Sequence, residues 1–194
     1  MDTIKARLAR VQTLTKQQEE VVVGSLLGDG HLAGTTRGFA FRVNHSIGQK
    51  EYVDWKYHIL KSLTNSPPSC CHKSYYFRTV SHPYFDVLRQ KFYVGKKKIL
   101  PADIDQLMTA LIISIWLMDD GSRDKRQLRF NSQSFTLAEN KRLISILEAK
   151  FGIMATINRD KDKFRLRVSA VSMPCVRQLV APFIIPSMQY KLSP

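Results

Sequence analysis

The chain has 194 residues, of which 44% are hydrophobic and 24% are charged, so a packed core is expected rather than disorder. Thirty Lys and Arg residues against sixteen Asp and Glu residues give a formal net charge of +14 at pH 7. This excess favours a polyanionic partner, because neutralising phosphates releases condensed counterions and drives binding. The longest apolar run, residues 110–118, falls well short of the ~20 residues that span a bilayer. A membrane-spanning protein is therefore excluded.

The cysteines favour a reducing compartment. Cys70, Cys71 and Cys175 are odd in number and lack the spacing of metal ligands. Cys70-Cys71-His72 raises the alternative of a zinc site, but adjacent cysteines chelate one ion poorly and no second cluster follows. Residues 1–10 contain no apolar signal region, so secretion is not expected. The sequence therefore predicts free thiols in an intracellular protein.

The first half of the chain begins after a basic N-terminal extension, residues 1–14. Thr15 followed by Gln18 forms a capping box, which predicts a helix that continues through the apolar residues 21–27. Alternating apolar and polar residues then predict two strands that flank an amphipathic helix. These elements are residues 39–45, 51–63 and 75–80.

The second half shows the same order of elements. Thr109 is a plausible cap for a helix through residues 111–118, which are apolar on nearly every side and should be buried. Two alternating strands and an amphipathic helix follow, at residues 128–132, 164–169 and 137–151.

Short segments also recur at a nearly constant spacing. Asp29-Gly30 recurs as Asp120-Gly121, an offset of 91 (120 minus 29), and Val80-Ser81 recurs as Val168-Ser169, an offset of 88 (168 minus 80). We therefore expect an α+β fold of two pseudo-symmetric αββαββα halves with antiparallel sheets, residues 15–100 and 101–194. Tandem halves imply a pseudo-two-fold axis, which matches the symmetry of duplex DNA.

The polar faces of the strands indicate DNA contact. Arg42 and Asn44 share one strand face in the first half, as do Arg129 and Asn131 in the second. Arg, Asn and Gln form bidentate hydrogen bonds with guanine and adenine edges in the major groove. An ordinary solvated face is the alternative, although acidic residues are sparse on these strands. The candidate DNA-binding residues are Arg37, Arg42, Asn44, His45, Gln49, Lys50, Lys73, Tyr75, Arg78, Arg123, Arg126, Arg129, Asn131, Gln133, Arg159, Lys161, Lys163, Arg165 and Arg167.

Each half places an Asp-Gly pair at the end of its apolar helix. A carboxylate at a helix C-terminus meets the negative end of the helix dipole, which favours a compensating cation. Mg²⁺ prefers carboxylate, carbonyl and water oxygens, and the last helical carbonyls are available beside Asp29 and Asp120. Gly30 and Gly121 fit a helix stop that needs positive φ.

The two apolar helices are expected to pack on each other. Gly24 and Ser25 in the first helix and Ser114 in the second are small enough for close approach of the backbones. Such packing would bring the two carboxylates side by side, where a bound metal would offset their repulsion.

These segments resemble a known family. Gly24-x-x-x-Gly28-Asp29-Gly30 and Trp116-Leu117-Met118-Asp119-Asp120-Gly121 are similar to the two motifs of single-chain LAGLIDADG homing endonucleases, most like the group of the yeast mitochondrial omega-intron endonuclease. The likeness extends to residues 130–136 and 185–192. It implies a saddle of two αββαββα halves over DNA, joined at a central two-helix interface. It also implies Mg²⁺-dependent cleavage of both strands of a long site that leaves short 3′ overhangs, with Mn²⁺ or Ca²⁺ able to substitute for binding.

The resemblance also assigns roles to individual residues. It makes Asp29 and Asp120 the catalytic metal ligands, helped by the carbonyls of Gly28 and Asp119. Lys98 and Lys191 match the active-site lysines of the family, and each could stabilise charge on phosphate or orient the attacking water. One departure is Ile115, which stands where the family commonly has a small residue, so close packing of the helices is less secure there.

Two other functions remain open at this point. An intron RNA maturase that no longer cuts DNA would share the fold, and so would a non-cleaving DNA-binding protein. Retention of both Asp29 and Asp120 favours the nuclease, because a pure binder has no need for the pair. We expect a monomeric, intron-encoded enzyme of double-stranded DNA, located in an organelle (mitochondrion or chloroplast) or in a bacterial cytoplasm.

Overall fold

A computed structural model describes residues 3–124 and 126–192 of the chain. The chain divides into two compact units, one up to Gln90 and one from Lys91 onwards, so the boundary lies earlier than residue 100, where we expected it. In the described residues, every helix is too short or too polar to cross a lipid bilayer.

The first unit has the expected order of helix, strand pair, helix, strand pair, helix, preceded by an additional helix. Its helices are α1 (Ile4–Val11), α2 (Lys16–Leu27), α3 (Lys50–Leu60) and α4 (Pro83–Phe92), whose last residues belong to the second unit. Its strands are β1 (His31–Thr35), β2 (Gly38–Ser46), β3 (Ser69–Cys71) and β4 (Ser74–Ser81). They form one antiparallel sheet in the order β1-β2-β4-β3.

Side-chain caps explain where the helices of the first unit begin. The Thr15 hydroxyl accepts a hydrogen bond from Gln18 N–H, and the Gln18 side chain accepts one from Thr15 N–H, which confirms the predicted capping box of α2. Thr3 caps α1 in the same way through Ala6 N–H, so the basic extension contains a helix that we did not predict. Helix α3 ends earlier than expected, because residues 61–63 form a 3-10 turn.

The second unit repeats this order after a small hairpin. Two short strands, β5 (Tyr93–Val94) and β6 (Lys97–Lys98), precede α5 (Ile104–Leu107) and α6 (Ala110–Asp120). The sheet contains β7 (Gly121–Asp124), β8 (Gln127–Phe130), β9 (Ala155–Asp160) and β10 (Lys163–Val168) in the antiparallel order β7-β8-β10-β9. The remaining helices are α7 (Leu137–Phe151) and α8 (Met173–Val180), followed by a 3-10 turn at Pro186–Lys191. The predicted α+β class with two αββαββα halves is confirmed.

Local sequence signals define the helices of the second unit as well. The Thr109 side chain accepts from Ile112 N–H at the start of α6, as predicted. A second capping box, between Thr136 and Glu139, begins α7, and Gly152 ends it with φ of 65°, the left-handed conformation that glycine adopts freely.

Each sheet has one face covered by helix and one open face. Helix α3 packs on β2 and β4, and α7 packs on β9 and β10. The two apolar helices are buried as predicted, since residues 21–27 of α2 and 111–119 of α6 all have low exposure. The open faces are left for the polar side chains of the strands.

The three cysteines are free thiols, as expected. Cys70 and Cys71 lie on the edge strand β3 and are exposed. Cys71 pairs with Ser74 and Cys70 with Tyr75, so the two thiols belong to opposite faces of the sheet.

Candidate active site and nucleic-acid interface

The open face of the first sheet carries the polar side chains that the alternation predicted. Arg42 of β2 lies opposite Arg78 of β4, and Asn44 lies opposite Tyr76. The Arg42 guanidinium stands 5.2 Å from the centre of the Tyr76 ring, a stacking contact that restricts its motion. The face is therefore cationic and also offers an amide and an aromatic ring.

Two candidate DNA-binding residues of this unit lie on the other face. His45 and Tyr75 are buried, and they pair with each other across β2 and β4 on the side that α3 covers. The Tyr75 hydroxyl donates to Asp54 of α3 over 2.9 Å. Adjacent residues of a strand point to opposite faces of the sheet. His45 and Tyr75 each lie one position from Asn44 and Tyr76, so they point to the face opposite those two residues.

The open face of the second sheet is built in the same manner. Arg129 of β8 lies opposite Arg167 of β10. Asp160 lies on this sheet between two of the predicted residues: Gln133 Nε2 donates to its carboxylate over 2.9 Å, and an Arg165 nitrogen lies 3.7 Å away. The hydrogen bond from Gln133 is the main reason that the pKa of Asp160 lies below its ordinary value.

A buried polar cluster holds the loop that follows β8. The Ser132 hydroxyl donates to the Asn140 side chain over 2.6 Å and accepts from Leu166 N–H. Asn140 in turn donates to the carbonyls of Phe135 and Thr136, each over 3.0 Å. Since Ser132 lies between Asn131 and Gln133, this cluster fixes the backbone of both predicted DNA-binding residues.

The remaining candidates lie at edges and turns. Arg123 and Arg159 are exposed, but they pair with Leu128 and Phe164. By the alternation of the strands they belong to the face opposite Arg129. Lys50 begins α3 and forms an ion pair with Asp54. The turns between strands carry Arg37, Lys73, Arg126 and Lys161, while Gln49 closes a 3-10 turn and Lys163 begins β10.

Asp29 lies in a tight turn at the end of α2. The helix ends at Leu27, and the Ser25 carbonyl accepts from Gly28 N–H at 3.0 Å and from Gly30 N–H at 2.8 Å. This turn leaves the Asp29 side chain 50% exposed, with one oxygen 3.7 Å from Nδ1 of buried His45. The carboxylate is accessible to solvent and to a cation.

Aromatic and cationic side chains continue from His45 into the core of the first unit. The rings of His45 and Tyr52 have centres 5.3 Å apart. The Lys56 ammonium, which is fully buried, lies 4.3 Å from the centre of the Tyr52 ring. Sequence reasoning missed Lys56, because an amphipathic helix normally turns its lysines toward solvent.

Asp120 occupies a different position from Asp29. It is the last residue of α6 and is half-buried, and its carbonyl accepts from Asn131 N–H at 3.1 Å. The neighbouring Asp119 side chain is buried. The second unit therefore reaches its Asp-Gly pair without the turn that contains Asp29.

Lys191 binds the end of α6. Its buried ammonium donates to the carbonyls of Leu117, Met118 and Asp119, over 3.4, 2.5 and 2.9 Å. An ammonium at this place offsets the negative end of the helix dipole beside Asp120. The contacts place Lys191 at the end of the helix that carries Asp120.

Gly30 and Gly121 are required for a reason other than the one we predicted. Neither has positive φ; Gly121, for example, has φ of −69°. A Cβ on Gly30 would lie 2.8 Å from Ser25 Cβ and 2.9 Å from the Ser25 carbonyl oxygen, and a Cβ on Gly121 would collide with the Leu117 carbonyl. Both glycines are needed because the chain passes close to the preceding helical turn.

Lys98 lies on β6, in the hairpin that begins the second unit, and is half-buried. The backbone on its C-terminal side is held twice, by Ile99 N–H donating to the Phe92 carbonyl and by Leu100 N–H donating to Glu139 Oε1 over 2.7 Å. Burial opposes ionisation of Glu139, but the hydrogen bonds from Leu100 and Thr136 outweigh it, so its pKa is lowered.

The residues present fit an oxygen-coordinated divalent ion. Among the described residues, no group of three or more His, Cys, Asp and Glu side chains is placed to hold a metal. Each Asp-Gly pair instead offers one carboxylate beside helical carbonyls, a set that suits Mg²⁺ completed by water or phosphate oxygens. The Asp119 carbonyl, one of the expected metal ligands, accepts a hydrogen bond from the Lys191 ammonium over 2.9 Å.

Comparison with known proteins identifies the class. The model of the LAGLIDADG DNA endonuclease family matches residues 19–176, which include most of both units and both Asp-Gly pairs. The chain belongs to the LAGLIDADG DNA endonuclease family.

Two yeast proteins are similar over most of the chain. The cytochrome b mRNA maturase bI2 of Debaryomyces hansenii is 31% identical over 195 residues, covering 92% of this chain and 74% of the relative. The probable intron-encoded endonuclease 1 of Wickerhamomyces canadensis is 28% identical over 197 residues, covering 93% of this chain and 85% of the relative.

The fold is also similar to solved structures. The homing endonuclease I-WcaI bound to its DNA recognition sequence superimposes with a TM-score of 0.88 at 28% identity, covering 98% of this chain and 92% of that one. Variants of I-DmoI match with a TM-score of 0.58 at 13% identity, which supports the fold alone. The predicted membership of the family is confirmed.

Proposed function

We propose that this protein is a site-specific homing endonuclease that hydrolyses both strands of a long double-stranded DNA target in a Mg²⁺-dependent reaction, leaving short 3′ overhangs. The observation that carries the proposal is the Asp-Gly pair at the end of a buried helix in each unit. A protein that only bound nucleic acid would need neither Asp29 nor Asp120. Membership of a DNA endonuclease family and similarity to a DNA-bound homing endonuclease support it.

The open sheet faces are the proposed DNA interface. In the first unit the face presents Arg42, Asn44 and Arg78, and in the second it presents Arg129 and Arg167. These side chains can bond to base edges in the major groove, and the net charge of +14 favours the phosphate backbone. Asp160 lowers the charge locally, but Arg165 and Gln133 contact its carboxylate.

Asp29 and Asp120, with the carbonyls of Gly28 and Asp119, are the groups that would hold Mg²⁺. When bound, the ion would activate water and stabilise the leaving oxygen of the phosphodiester. We propose that Lys98, which is followed by two residues with hydrogen-bonded backbone groups, stabilises negative charge on phosphate. Lys191 donates to three helical carbonyls, so its charge acts at the end of α6, beside Asp120.

A second function has a specific observation in its favour. The relative from Debaryomyces hansenii that is 31% identical is named as an mRNA maturase. We propose that intron RNA is an additional partner of this chain, bound through its cationic surface. This role is compatible with cleavage and would be tested by splicing of the intron RNA with the Asp29 and Asp120 variants.

The source and the assembly of the chain are also proposals. A yeast relative named as a probable intron-encoded endonuclease supports an intron as the source of this chain. We propose that the protein acts as a monomer, since one chain supplies both units, in an organelle or a bacterial cytoplasm.

The proposal is tested by cleavage of a plasmid library with random inserts, in Mg²⁺ and in EDTA, followed by sequencing of the ends. The expected result is Mg²⁺-dependent double-strand breaks at one long motif, with short 3′ overhangs. The Asp29→Asn/Asp120→Asn double variant is the matched control and should give no breaks. Retention of DNA without any cleavage would contradict the nuclease function.

A further inference from the structure

The open face of the first sheet contains a groove with a volume of about 740 Å³. Arg42, Tyr76 and Arg78 of the sheet form its floor, and the turn between β1 and β2, which includes Arg37, forms one wall. Residues 65–67 line it from the segment before β3, and Ser69 lines it from the start of β3. The sheet alone does not complete this groove.

Helix α1 supplies another wall. Ala6 and Arg10 line the groove from α1. The helix is fixed to the unit at both ends: Thr3 Oγ1 donates to Asn65 Oδ1 over 2.9 Å, and Gln12 Nε2 donates to Ser62 Oγ over 2.8 Å. Ala6 and Ala9 are buried against the unit, so the direction of Arg10 is set by packing.

The charge of the groove is of one sign. Four arginines line it, namely Arg10, Arg37, Arg42 and Arg78, and its described lining residues include no Asp or Glu. Planar guanidinium groups bind phosphate through paired hydrogen bonds. A set of four arginines along one groove fits a polyphosphate strand better than a neutral ligand.

Helix α1 lies outside the span that the family model matches. The family model matches residues 19–176, and α1 comprises Ile4–Val11, before that span. We propose that α1 is a DNA-contacting element in its own right, and that Arg10 binds a backbone phosphate of the target. The inference rests on the proposed function, because the duplex must lie on the open face of the first sheet.

The groove extends along strand β1. Arg42 on its floor pairs with His31, which is close to Asp29, and Thr35 lines it four residue steps further on, about 14 Å along the strand at about 3.4 Å per residue. Arg10 lines this groove from α1 and is not one of the residues proposed to hold the metal, so we expect it to contribute affinity rather than chemistry.

The test measures binding of the full chain to a fluorescent random-sequence duplex at several salt concentrations without added Mg²⁺. Arg10→Gln should weaken binding about threefold to tenfold at fixed salt. It should also reduce the slope of log K against log salt by about 0.9, the contribution of one phosphate contact. Arg7→Gln removes the same charge from an exposed position of α1 outside the groove and should keep the wild-type slope.

Further variants separate the possible outcomes. Arg10→Lys keeps the positive charge and should keep the wild-type slope. A reduced slope in Arg10→Lys would show that the contact is not electrostatic and would overturn the proposal. An Arg10→Gln slope equal to that of the wild type, or an equal decrease in Arg7→Gln, would also overturn it. If Arg78→Gln lowers the slope while Arg10→Gln does not, only the role of α1 is lost. If neither lowers it, the proposed DNA interface of the first unit fails as well.

Discussion

The two helix ends that carry Asp29 and Asp120 are built differently, although the sequence around each ends in the same Asp-Gly pair. In the first unit α2 stops at Leu27 and a tight turn on the Ser25 carbonyl presents Asp29, which is half exposed. In the second unit α6 continues through Asp120, and the Lys191 ammonium binds the last carbonyls. Each half of the repeat thus has a carboxylate at the end of its helix, but the backbone conformation at that carboxylate differs between the halves.

The surroundings of the two carboxylates differ as well. Behind Asp29 the first unit contains a buried imidazole, an aromatic ring and a buried ammonium, those of His45, Tyr52 and Lys56. At the matching place after β8 the second unit contains the neutral Ser132 and Asn140. If the two Asp residues have the same chemical role, substituting either should cause the same loss of cleavage. Because their surroundings differ, substitutions near the two helix ends should change the free energy of unfolding by different amounts.

The largest expected effect is loss of cleavage. Asp29→Asn or Asp120→Asn should each abolish double-strand breaks, because an amide cannot replace the charged metal ligand. DNA affinity should stay within about tenfold of the wild type, since the amide keeps the size of the side chain. Gel-based cleavage of the recovered target, with affinity measured in parallel, checks both. Near-normal cutting by either variant would show that only one unit is catalytic.

The next effect concerns the cap on α6. Lys191→Met should lower the free energy of unfolding by about 1–3 kcal/mol, because the carbonyls of Met118 and Asp119 lose a charged donor in a buried place. Urea denaturation measures the change. Lys141→Met, an exposed lysine on α7, is the matched control and should change little. Equal stability of both variants would mean that water replaces the Lys191 cap.

The two glycines give a direct comparison of the turns. Gly121→Ala should be the more damaging, because its Cβ would lie 2.4 Å from the Leu117 carbonyl oxygen, whereas Gly30→Ala would meet Ser25 and the Phe41 ring at 2.8–2.9 Å. We expect losses of about 1–3 kcal/mol for these overpacked sites. Gly34→Ala is the control, since its nearest neighbour is 3.8 Å away. The reverse order in urea denaturation would contradict this account of the helix ends.

The smallest effect is a pH dependence confined to the second unit. Hydrogen bonds from Leu100 and Thr136 keep the pKa of Glu139 below its ordinary value, so the group stabilises the fold at neutral pH. This stabilisation is complete above the unfolded pKa and is lost as the pH falls through the lower, folded pKa. Glu139→Gln should therefore reduce the dependence of Tm on pH in this acid range. An unchanged pH profile would argue against this contact.

Most of the fold could be predicted from local signals. The capping box of Thr15 and Gln18 and the period-two strands fixed the element types, and the recurring Asp-Gly pairs revealed the two halves. The capping box of Thr136 and Glu139 was equally visible in the sequence but was missed. Helix α1 was also missed, because a short basic segment with Thr3 as its cap gives only a weak helix signal.

The site was less predictable, for physical reasons. The direction of a strand side chain changes with each residue, so assigning His45 and Tyr75 to the face opposite Asn44 required a register that composition does not give. The contacts of Lys191 join residues more than seventy positions apart, from Leu117 to Lys191. Such contacts depend on tertiary packing, as does the burial of Lys56, so only the family resemblance pointed to Lys191.

The exposed cysteine pair on β3 makes this protein suitable for an optical binding sensor. Cys71 belongs to the open face with Ser74, and Cys70 to the opposite face, on an edge strand that reagents can reach. With Cys70 changed to Ser and the half-buried Cys175 less reactive, a maleimide dye could be attached at Cys71. The dye would report the arrival of a duplex on the first sheet, and the same dye at Cys70, in a Cys71→Ser protein, would supply a reference one residue away.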